Sequence, residues 1–598
     1  MPILRKLLYL LSPSERKRAV FLLFMILVMA LLEMIGVVSI MPFMAVLMNP
    51  NLIDSNILLN SAFKTSIILG VETKEQFLFL LGVLVFLILV VSLTFKFLTF
   101  YVQLRFTSTL NYSLAKRLVE GYLHQPYSWF LNRHSADLGK TILSEVSVVV
   151  SQGLNPMLNF IRQSVVAFAL IIMLVLVDPK LTLIVGLTLG LAYGLIYTFI
   201  RSYVAKIGYK RLEANKWIFT SISEAFGATK EIKLGGLEQA YVQRFSEPAK
   251  TLAKIAASAG VISHLPRFAL EAITFGGMLL VVLYLMVQSG TFTDAVPIIA
   301  LYAFAGYRLM PALQQIYNSL TTLRFVGPAL DAMHKDLKSL QQPSSLKQNQ
   351  ESMPLNKSIT LRNIHYNYPN ASRTALKDIH FSIPTHNTIG IVGATGSGKT
   401  TTVDIILGLL EPEKGTLEVD ENVINKQNIR AWQRSIGYVP QHIFLADDTV
   451  AANIAFGIDQ AKINYEDIER SAKIARLHEF VTTELPKKYQ TTIGERGIRL
   501  SGGQRQRIGI ARALYHKPKV LILDEATSAL DNLTEQAVME AVQNIGKDIT
   551  IIMIAHRLST VKECDTIFLL EKGKLKQQGT FKELMENSDF FNTDNYKN

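Results

Sequence analysis

A glycine-rich segment at residues 393–400 has the composition of a phosphate-binding loop. It reads Gly-Ala-Thr-Gly-Ser-Gly-Lys-Thr, follows an apolar stretch that predicts a strand and precedes a run that predicts a helix. Glycines let backbone N–H groups approach phosphate oxygens, and the helix N-terminus adds a favourable dipole. Lys399 then reaches the terminal phosphates of a nucleotide and Thr400 binds Mg²⁺. In this strand–loop–helix setting the segment is a full Walker A motif, which predicts ATP and Mg²⁺ as ligands.

The apolar residues 520–523 predict a second strand, and two acidic residues follow it directly. Asp524 is placed to hold Mg²⁺ through water, and Glu525 to polarise the water that attacks the terminal phosphate. Two acids after a strand often mark only the entry into a turn. Because a Walker A motif precedes them, we predict ATP hydrolysis with Glu525 as the catalytic base.

The elements that must position this chemistry occupy only the second half of the chain. The 598 residues exceed one core, so at least two domains are expected. Charged residues make up 18% of the chain and apolar residues 49%, and the apolar residues concentrate before about residue 330, which is typical of a membrane protein. The net charge is +13, and some of the basic residues flank apolar stretches, as they do at the cytoplasmic ends of membrane helices. The sequence shows no nucleic-acid-binding pattern. A single cysteine, Cys564, excludes an intrachain disulfide.

Six apolar runs are long enough to span a membrane. They predict an all-α polytopic membrane domain followed by an α/β P-loop ATPase domain, with both ends cytosolic and an uncleaved first span. The predicted domains are a membrane domain at 1–337, a linker at 338–356 and an ATPase domain at 357–598. The spans are expected near residues 19–47, 77–101, 157–177, 181–200, 268–288 and 295–320.

Long polar connections on the cytosolic side predict that the spans continue as helices beyond the membrane. Residues 126–130 and 235–245 are the candidate turns where the ATPase domain makes contact, with ordinary helix packing as the alternative for their aromatic side chains. On the outer side, residues 53–69 suit either a short amphipathic surface helix or a plain loop.

Four ionisable residues in the predicted spans or at their edges stand out: Glu33, Lys96, Arg267 and Arg308. Charges at membrane depth are costly and mark a transport pathway by default. Lys96, Arg267 and Arg308 all fall toward the inner leaflet, where they suit an anionic head group, and Glu33 is a candidate partner for one of them. Snorkelling of the cations toward the head groups is the alternative.

The segment Leu-Ser-Gly-Gly-Gln at 500–504 resembles the signature of ATP-binding cassette (ABC) transporters. In that family the signature completes the ATP site of the partner subunit, so the resemblance implies a homodimer. The architecture is similar to a type IV exporter half-transporter, and nearly the whole chain shares the resemblance. Residues 528–531 are similar to the family's D-loop, and residues 494–497 to the segment that precedes the signature.

The resemblance also implies roles for individual residues. Gln441 resembles the Q-loop glutamine that senses Mg²⁺, His556 the switch histidine at the terminal phosphate, and Tyr368 the aromatic that stacks on adenine. Glu525 and His556 are thus the expected catalytic residues, and Thr400, Gln441 and Asp524 the metal ligands. The expected nucleotide-binding residues are Tyr368, Gly393, Ala394, Thr395, Gly396, Ser397, Gly398, Lys399, Thr400, Thr401, Gln441, Ser501, Gly502, Gly503 and Gln504.

The first span resembles that of PglK-type flippases, on residues 32–36 and 39–43 together with the three cations. This resemblance implies a polyprenyl-diphosphate-linked oligosaccharide as cargo, moved across a bacterial inner membrane with the ATPase domain in the cytosol. The alternatives are an exporter of lipids or hydrophobic drugs, a peptide exporter, and an ATP-gated channel. An intact Glu525 argues against the channel.

Overall fold

The computed structural model describes residues 2–177, 179–289, 292–340, 351–369, 371, 373–494, 497–525, 532–545, 549–555, 558–587 and 590. The chain divides into two compact units. The first comprises residues 1–125 and 133–342, and the second residues 126–132 and 343–598.

The first unit is helical throughout its described part. Short helices cluster at the two ends of the long ones. The helices up to residue 339 are α1 Pro2–Leu10, α2 Pro13–Val38, α3 Ile40–Met48, α4 Leu52–Ser55, α5 Ile57–Ser66, α6 Lys74–Leu123, α7 Tyr127–Phe130 (which belongs to the second unit), α8 Ser135–Lys140, α9 Val146–Val149, α10 Asn155–Val177, α11 Pro179–Gly227, α12 Thr229–Gly235, α13 Glu238–Ser289 and α14 Phe292–Ser339.

The long helices bury one face and expose apolar side chains on the other. The helix α10 packs against α2 and α14, and α11 packs against α13 and α14. Val20, Phe24 and Phe86 are more than 60% exposed, which suits contact with lipid rather than water. Within the described residues, the segments Pro13–Gly36, Lys74–Leu123 and Ser135–Leu176 are long and apolar enough to cross a membrane.

The helix α6 extends well past the apolar run, as the long polar connections predict. It begins at a capping box, in which the Thr73 side chain accepts a hydrogen bond from the backbone N–H of Gln76 and the Gln76 side chain accepts one in return. Earlier in the same connection, Asn56 caps the N-terminus of α5, and its side chain accepts hydrogen bonds from two backbone N–H groups. Ile57 and Leu58 at its start are more than 80% exposed. This connection is therefore helical in part rather than a plain loop, and its position at the membrane surface stays a prediction.

The described residues of the second unit form ten strands in two sheets. The four-stranded antiparallel sheet has the order β2-β1-β4-β5, and the six-stranded sheet the order β10-β9-β3-β8-β7-β6. The strands are β1 Ser358–Tyr366, β2 Leu376–Pro384, β3 Thr388–Val392, β4 Lys414–Val419, β5 Asn422–Val423, β6 Ile436–Val439, β7 Val520–Asp524, β8 Thr550–Ile554, β9 Thr566–Glu571 and β10 Lys574–Gly579.

Helices cover the larger sheet and complete its core. The strands β7 and β8 are buried at every position, so their side chains pack against helices on both faces. The helices are α15 Lys399–Ile406, α16 Ile429–Arg434, α17 Val450–Ile454, α18 Tyr465–Ile474, α19 His478–Thr483, α20 Gly502–Tyr515, α21 Asn532–Ile545, α22 Leu558–Val561 and α23 Phe581–Asn587.

Candidate functional site

The predicted nucleotide-binding residues follow neighbouring strands of the larger sheet. The strands β3, β8, β7 and β6 are adjacent and parallel, so their carboxyl ends lie at one edge. The glycine-rich loop follows β3, Glu525 follows β7, and Gln441 comes two residues after β6. Ligands of open α/β sheets bind at this edge. The sheet order therefore explains how residues far apart in sequence form one site.

The glycine-rich loop has a backbone that only glycine accommodates well. Gly398 has φ +107°, and a Cβ atom there would lie 2.7 Å from Leu376 Cδ2. Gly393 has φ +151°, and a Cβ atom there would lie 2.3 Å from the carbonyl oxygen of Leu570. Side chains at these positions would force the loop away from the sheet. The loop is thus shaped by packing on both sides.

Lys399 and Ser397 place hydrogen-bond donors inside the glycine-rich loop. The Lys399 ammonium donates to the carbonyl oxygens of Gly393 at 2.6 Å and Ala394 at 3.2 Å. Burial lowers the pKa of Lys399, and the nearby carboxylates of Glu525 and Asp524 partly offset this effect. The Ser397 hydroxyl is buried and has no hydrogen-bond partner among the described residues. A phosphate oxygen suits both groups, because it accepts hydrogen bonds and carries negative charge.

The two acids and the glutamine meet opposite this loop. Gln441 Nε2 donates to Glu525 Oε2 at 2.7 Å, and Asp524 accepts from the Tyr438 hydroxyl at 3.4 Å. Glu525 has φ +50°, a conformation uncommon outside glycine that aims a side chain away from the strand direction. Its backbone N–H is held by the carbonyl oxygen of Ile554 on β8. The geometry thus brings together the predicted base and the predicted sensor.

A cavity of about 570 Å³ connects these groups. Tyr368 lines one end, where its hydroxyl lies 3.1 Å from the Thr401 hydroxyl, and Lys399, Gln441 and Glu525 line the other parts. Of the fifteen residues expected to bind nucleotide, the cavity wall contains Tyr368, Thr395, Gly396, Ser397, Gly398, Lys399, Thr400, Thr401 and Gln441.

The signature segment stands apart from this cavity wall. Ser501 is the N-cap of α20, and its side chain forms a capping box with Gln504 at 3.1 Å and 2.8 Å. Ser501 is exposed, and none of Ser501, Gly502, Gly503 or Gln504 is among the described residues that line the cavity. A capped, exposed helix N-terminus is able to bind an anion supplied from outside its own subunit.

Three predicted motifs lie wholly or partly outside the described residues. His556, residues 528–531 and residues 495–496 lie outside the described residues. His556 directly follows Ala555, which comes after β8 between β3 and β7 in the sheet. Its predicted role therefore stays a prediction.

The residues 126–132 belong to the same compact unit as the ATPase sheets. Within this unit, Tyr127 interacts electrostatically with Asp404 of α15 and with Tyr368, and burial together with these two groups raises the pKa of Tyr127. The first predicted contact segment thus lies beside the helix that follows the glycine-rich loop. Directly before the second segment, Leu234 is 93% exposed, and Gly236, the C-cap of α12, has φ +61°.

Sequence reasoning missed Asp404 in this site. Burial, with Asp524 as a smaller cause, raises the pKa of the Asp404 carboxyl to about 6. The residue lies on α15, five positions after Lys399, and no local sequence motif marks it.

In the membrane domain, the structure gives Glu33 the partner that the sequence left open. Lys96 Nζ lies 2.5 Å from Glu33 Oε1, and Glu33 is 8% exposed. The side chains of Arg267 on α13 and Arg308 on α14 lie outside the described part of the structure. Lys96 is therefore neutralised in this conformation, and the basic ring stays a prediction.

A second buried charge network, which sequence reasoning also missed, joins α11 to the segment before α10. Arg211 lies 2.6 Å from Glu145, and Asn215 donates to the other Glu145 oxygen at 2.7 Å. Glu145 ends a π-helical turn at Thr141–Glu145, and a second π-helical turn covers Val150–Leu154. Such turns often occur at functional positions in helices.

Comparison with known proteins agrees with both units. The family model described as ABC transporter transmembrane region matches residues 19–309, and the model described as ABC transporter matches residues 376–528. The ATP-dependent lipid A-core flippase of Cupriavidus metallidurans is 28% identical over 82% of this chain and 82% of its own length. The same-named protein of Saccharophagus degradans is 29% identical over 80% of each chain.

A solved structure shares the fold across nearly the whole chain. The structure of a bacterial Atm1-family ABC exporter with ATP bound covers 97% of this chain and 98% of its own, with a TM-score of 0.78 and 23% identity. This likeness confirms the predicted fold class, and the matching ABC transporter model and the flippase relatives confirm the predicted ATPase activity. The chain belongs to the ABC transporter family and is an integral membrane exporter in which ATP hydrolysis drives transport.

Proposed function

We propose that the chain works as a homodimer that flips a polyprenyl-diphosphate-linked oligosaccharide across a bacterial inner membrane. The observation that supports this cargo is the ion pair of Lys96 with the buried Glu33 in the membrane domain, in a chain that places Arg267 and Arg308 on α13 and α14. Charged groups are retained at membrane depth where a polar cargo passes. The relatives named as lipid A-core flippases support a lipid cargo.

The ATPase cycle follows from the site. Lys399 and the loop N–H groups hold the phosphates, Tyr368 stacks on the adenine, and Glu525 accepts a proton from the attacking water. The exposed signature helix of each subunit closes the ATP site of the other subunit, because no signature residue lies among the described residues of its own cavity wall. His556 is the proposed contact to the terminal phosphate.

The residues Thr400, Gln441 and Asp524 fit a magnesium ion. They offer a hydroxyl, an amide carbonyl and a carboxylate, which are the oxygen donors that Mg²⁺ prefers. Gln441 uses its Nε2 toward Glu525, which leaves the amide oxygen for a metal. When bound, Mg²⁺ neutralises charge on the terminal phosphates.

The test is an ATPase and flipping assay with the full-length protein in proteoliposomes. We expect a polyprenyl-diphosphate-linked sugar to stimulate ATP hydrolysis and to appear in the opposite leaflet. Movement of a neutral amphiphile with no response to the diphosphate lipid would instead support a general lipid or drug exporter. Movement of peptides alone would support the peptide exporter.

A further inference from the structure

Arg162 is a cation in the membrane domain that has no assigned role. It lies on α10, seven residues or about 10 Å along the helix from Asn155. Among the described residues it makes neither a hydrogen bond nor an ion pair, and its Nε atom is buried without a partner. An arginine at membrane depth is costly unless its charge is compensated, so the groups that interact with Arg162 decide its role.

Glu33 connects Arg162 to Lys96. Arg162 interacts electrostatically with Glu33, and the same carboxylate forms the ion pair with Lys96. Two cations thus interact with one carboxylate, Lys96 by a direct ion pair and Arg162 electrostatically, and one positive charge remains among these three side chains. The carboxylate takes the place where an anionic cargo group would bind.

Polar groups with unused capacity continue along the same helices. Gln103, seven residues after Lys96 on α6, donates to Asn159 Oδ1 at 3.3 Å, three residues before Arg162 on α10. Gln103 is 5% exposed, and its Oε1 atom has no partner among the described residues. The packed faces of α6 and α10 therefore present several hydrogen-bonding groups inside the membrane domain.

We propose that Arg162 is a cargo-binding residue that contacts the diphosphate, and that Glu33 holds Arg162 and Lys96 in place until the diphosphate displaces it. This inference rests on the proposed function. A guanidinium presents two parallel N–H groups that match two phosphate oxygens, which a lysine does not. Lys96 and Glu33 alone would neutralise each other. Arg162 supplies the remaining positive charge and a directional contact to the phosphate.

The experiment measures ATPase stimulation of the full-length protein in proteoliposomes by a polyprenyl-diphosphate-linked sugar. Arg162→Gln is expected to raise the half-maximal lipid concentration about tenfold, because one charge-assisted hydrogen-bonded contact is lost. Arg162→Lys is expected to fall between this variant and wild type. The matched control is Arg105→Gln, which removes an exposed cation from α6. Basal hydrolysis is expected to be unchanged in Arg105→Gln.

A double variant separates cargo binding from a structural role. If Arg162 only balances Glu33, then Glu33→Gln restores the response of Arg162→Gln, and this result overturns the proposal. If Arg162 binds cargo, the double variant stays about tenfold weaker than Glu33→Gln alone. Should Arg162→Gln fail to fold, Arg162→Lys must still lose part of the preference for diphosphate over monophosphate lipid; a preference equal to wild type overturns the proposal.

The outcomes also distinguish this inference from the proposed function. A wild-type protein that ignores the diphosphate lipid overturns the proposed function and the role of Arg162 with it. A wild-type protein that responds, together with an Arg162→Gln variant that matches Arg105→Gln, overturns only the role of Arg162.

Discussion

Gln441 donates from Nε2 to Glu525 Oε2 at 2.7 Å, so the proposed metal sensor restrains the proposed catalytic base. Glu525 is also fixed by its backbone N–H, which donates to Ile554, and by a φ of +50°. These contacts restrict the rotation of the Glu525 side chain. Rearrangement of the Gln441 contact is a direct way for the metal and the base to influence each other.

Replacing the base is expected to abolish hydrolysis and spare nucleotide binding. Glu525→Gln removes the proton acceptor while keeping the hydrogen-bonding shape, so we expect the ATPase rate to fall about a hundredfold or more. Lys399 and Ser397 remain in place, so equilibrium binding of labelled ATP is expected to stay close to wild type. Both quantities are measured on purified protein in detergent.

The control for this variant is Glu479→Gln, at an exposed position on α19 away from the cavity wall. It removes the same charge and is expected to leave the ATPase rate unchanged. Retention of more than half the wild-type rate in Glu525→Gln would contradict the assignment of Glu525 as base.

Asp404 gives the ATPase domain a predictable dependence on pH. Its pKa is about 6 in the folded protein and 3.8 in a model compound, because burial disfavours the carboxylate. The unfolded chain therefore loses its proton first, and stability falls as pH rises from about 4 to 6 and is level above. We expect Asp404→Asn to stabilise the nucleotide-free protein at pH 7.5 by about 1 kcal/mol, after discounting for solvent screening.

The measurement is thermal unfolding in detergent with a chelator present, at pH 7.5 and pH 4.5. The gain from Asp404→Asn is expected to be smaller at pH 4.5, where the folded wild-type carboxyl is protonated. Asp447→Asn changes an exposed aspartate of the same unit and is expected to have no effect at either pH. A gain for Asp404→Asn that is equal at both pH values would contradict the raised pKa.

Dimerisation through the signature helix is expected to allow complementation between two inactive variants. Lys399→Ala removes phosphate binding, and Ser501→Arg blocks the exposed helix N-terminus. In a mixed dimer both changes fall in one ATP site and leave the other intact. Purified mixed dimers are therefore expected to show roughly half of the wild-type ATPase rate, because one of their two independent sites is intact.

The test coexpresses the two variants with different affinity tags and purifies dimers that carry both. Each variant expressed alone is expected to be inactive. If the signature acted within its own chain, every mixed dimer would contain two defective subunits. Inactive mixed dimers would therefore contradict the arrangement between subunits.

The parts of the site that follow from local sequence were predictable, and those that depend on folded distances were not. The loop at 393–400 and the acids at 524–525 were identified because short motifs fix their chemistry. Asp404, Arg162 and the partner of Glu145 were missed, since each depends on which helix face meets another helix. The pairing of Glu33 with Lys96 was foreseen only as one of three choices, because sequence periodicity does not set the rotation of a helix in its bundle.

The buried network of Arg211 and Glu145 is expected to be essential for the folded membrane domain. Both side chains are less than 10% exposed, and removal of one partner leaves an uncompensated charge. Arg211→Met is therefore expected to destabilise the domain by about 3 to 5 kcal/mol. The double variant Arg211→Met with Glu145→Gln is expected to recover part of this loss, because Asn215 is still able to donate to the amide oxygen. Thermal unfolding of the detergent-solubilised protein measures both effects.

Glu247→Gln, which breaks an exposed ion pair with Lys250, is the control and is expected to leave the unfolding temperature unchanged. If Arg211→Met unfolds at the wild-type temperature, the pair contributes nothing to the fold, and its burial next to the π-helical turn needs another explanation.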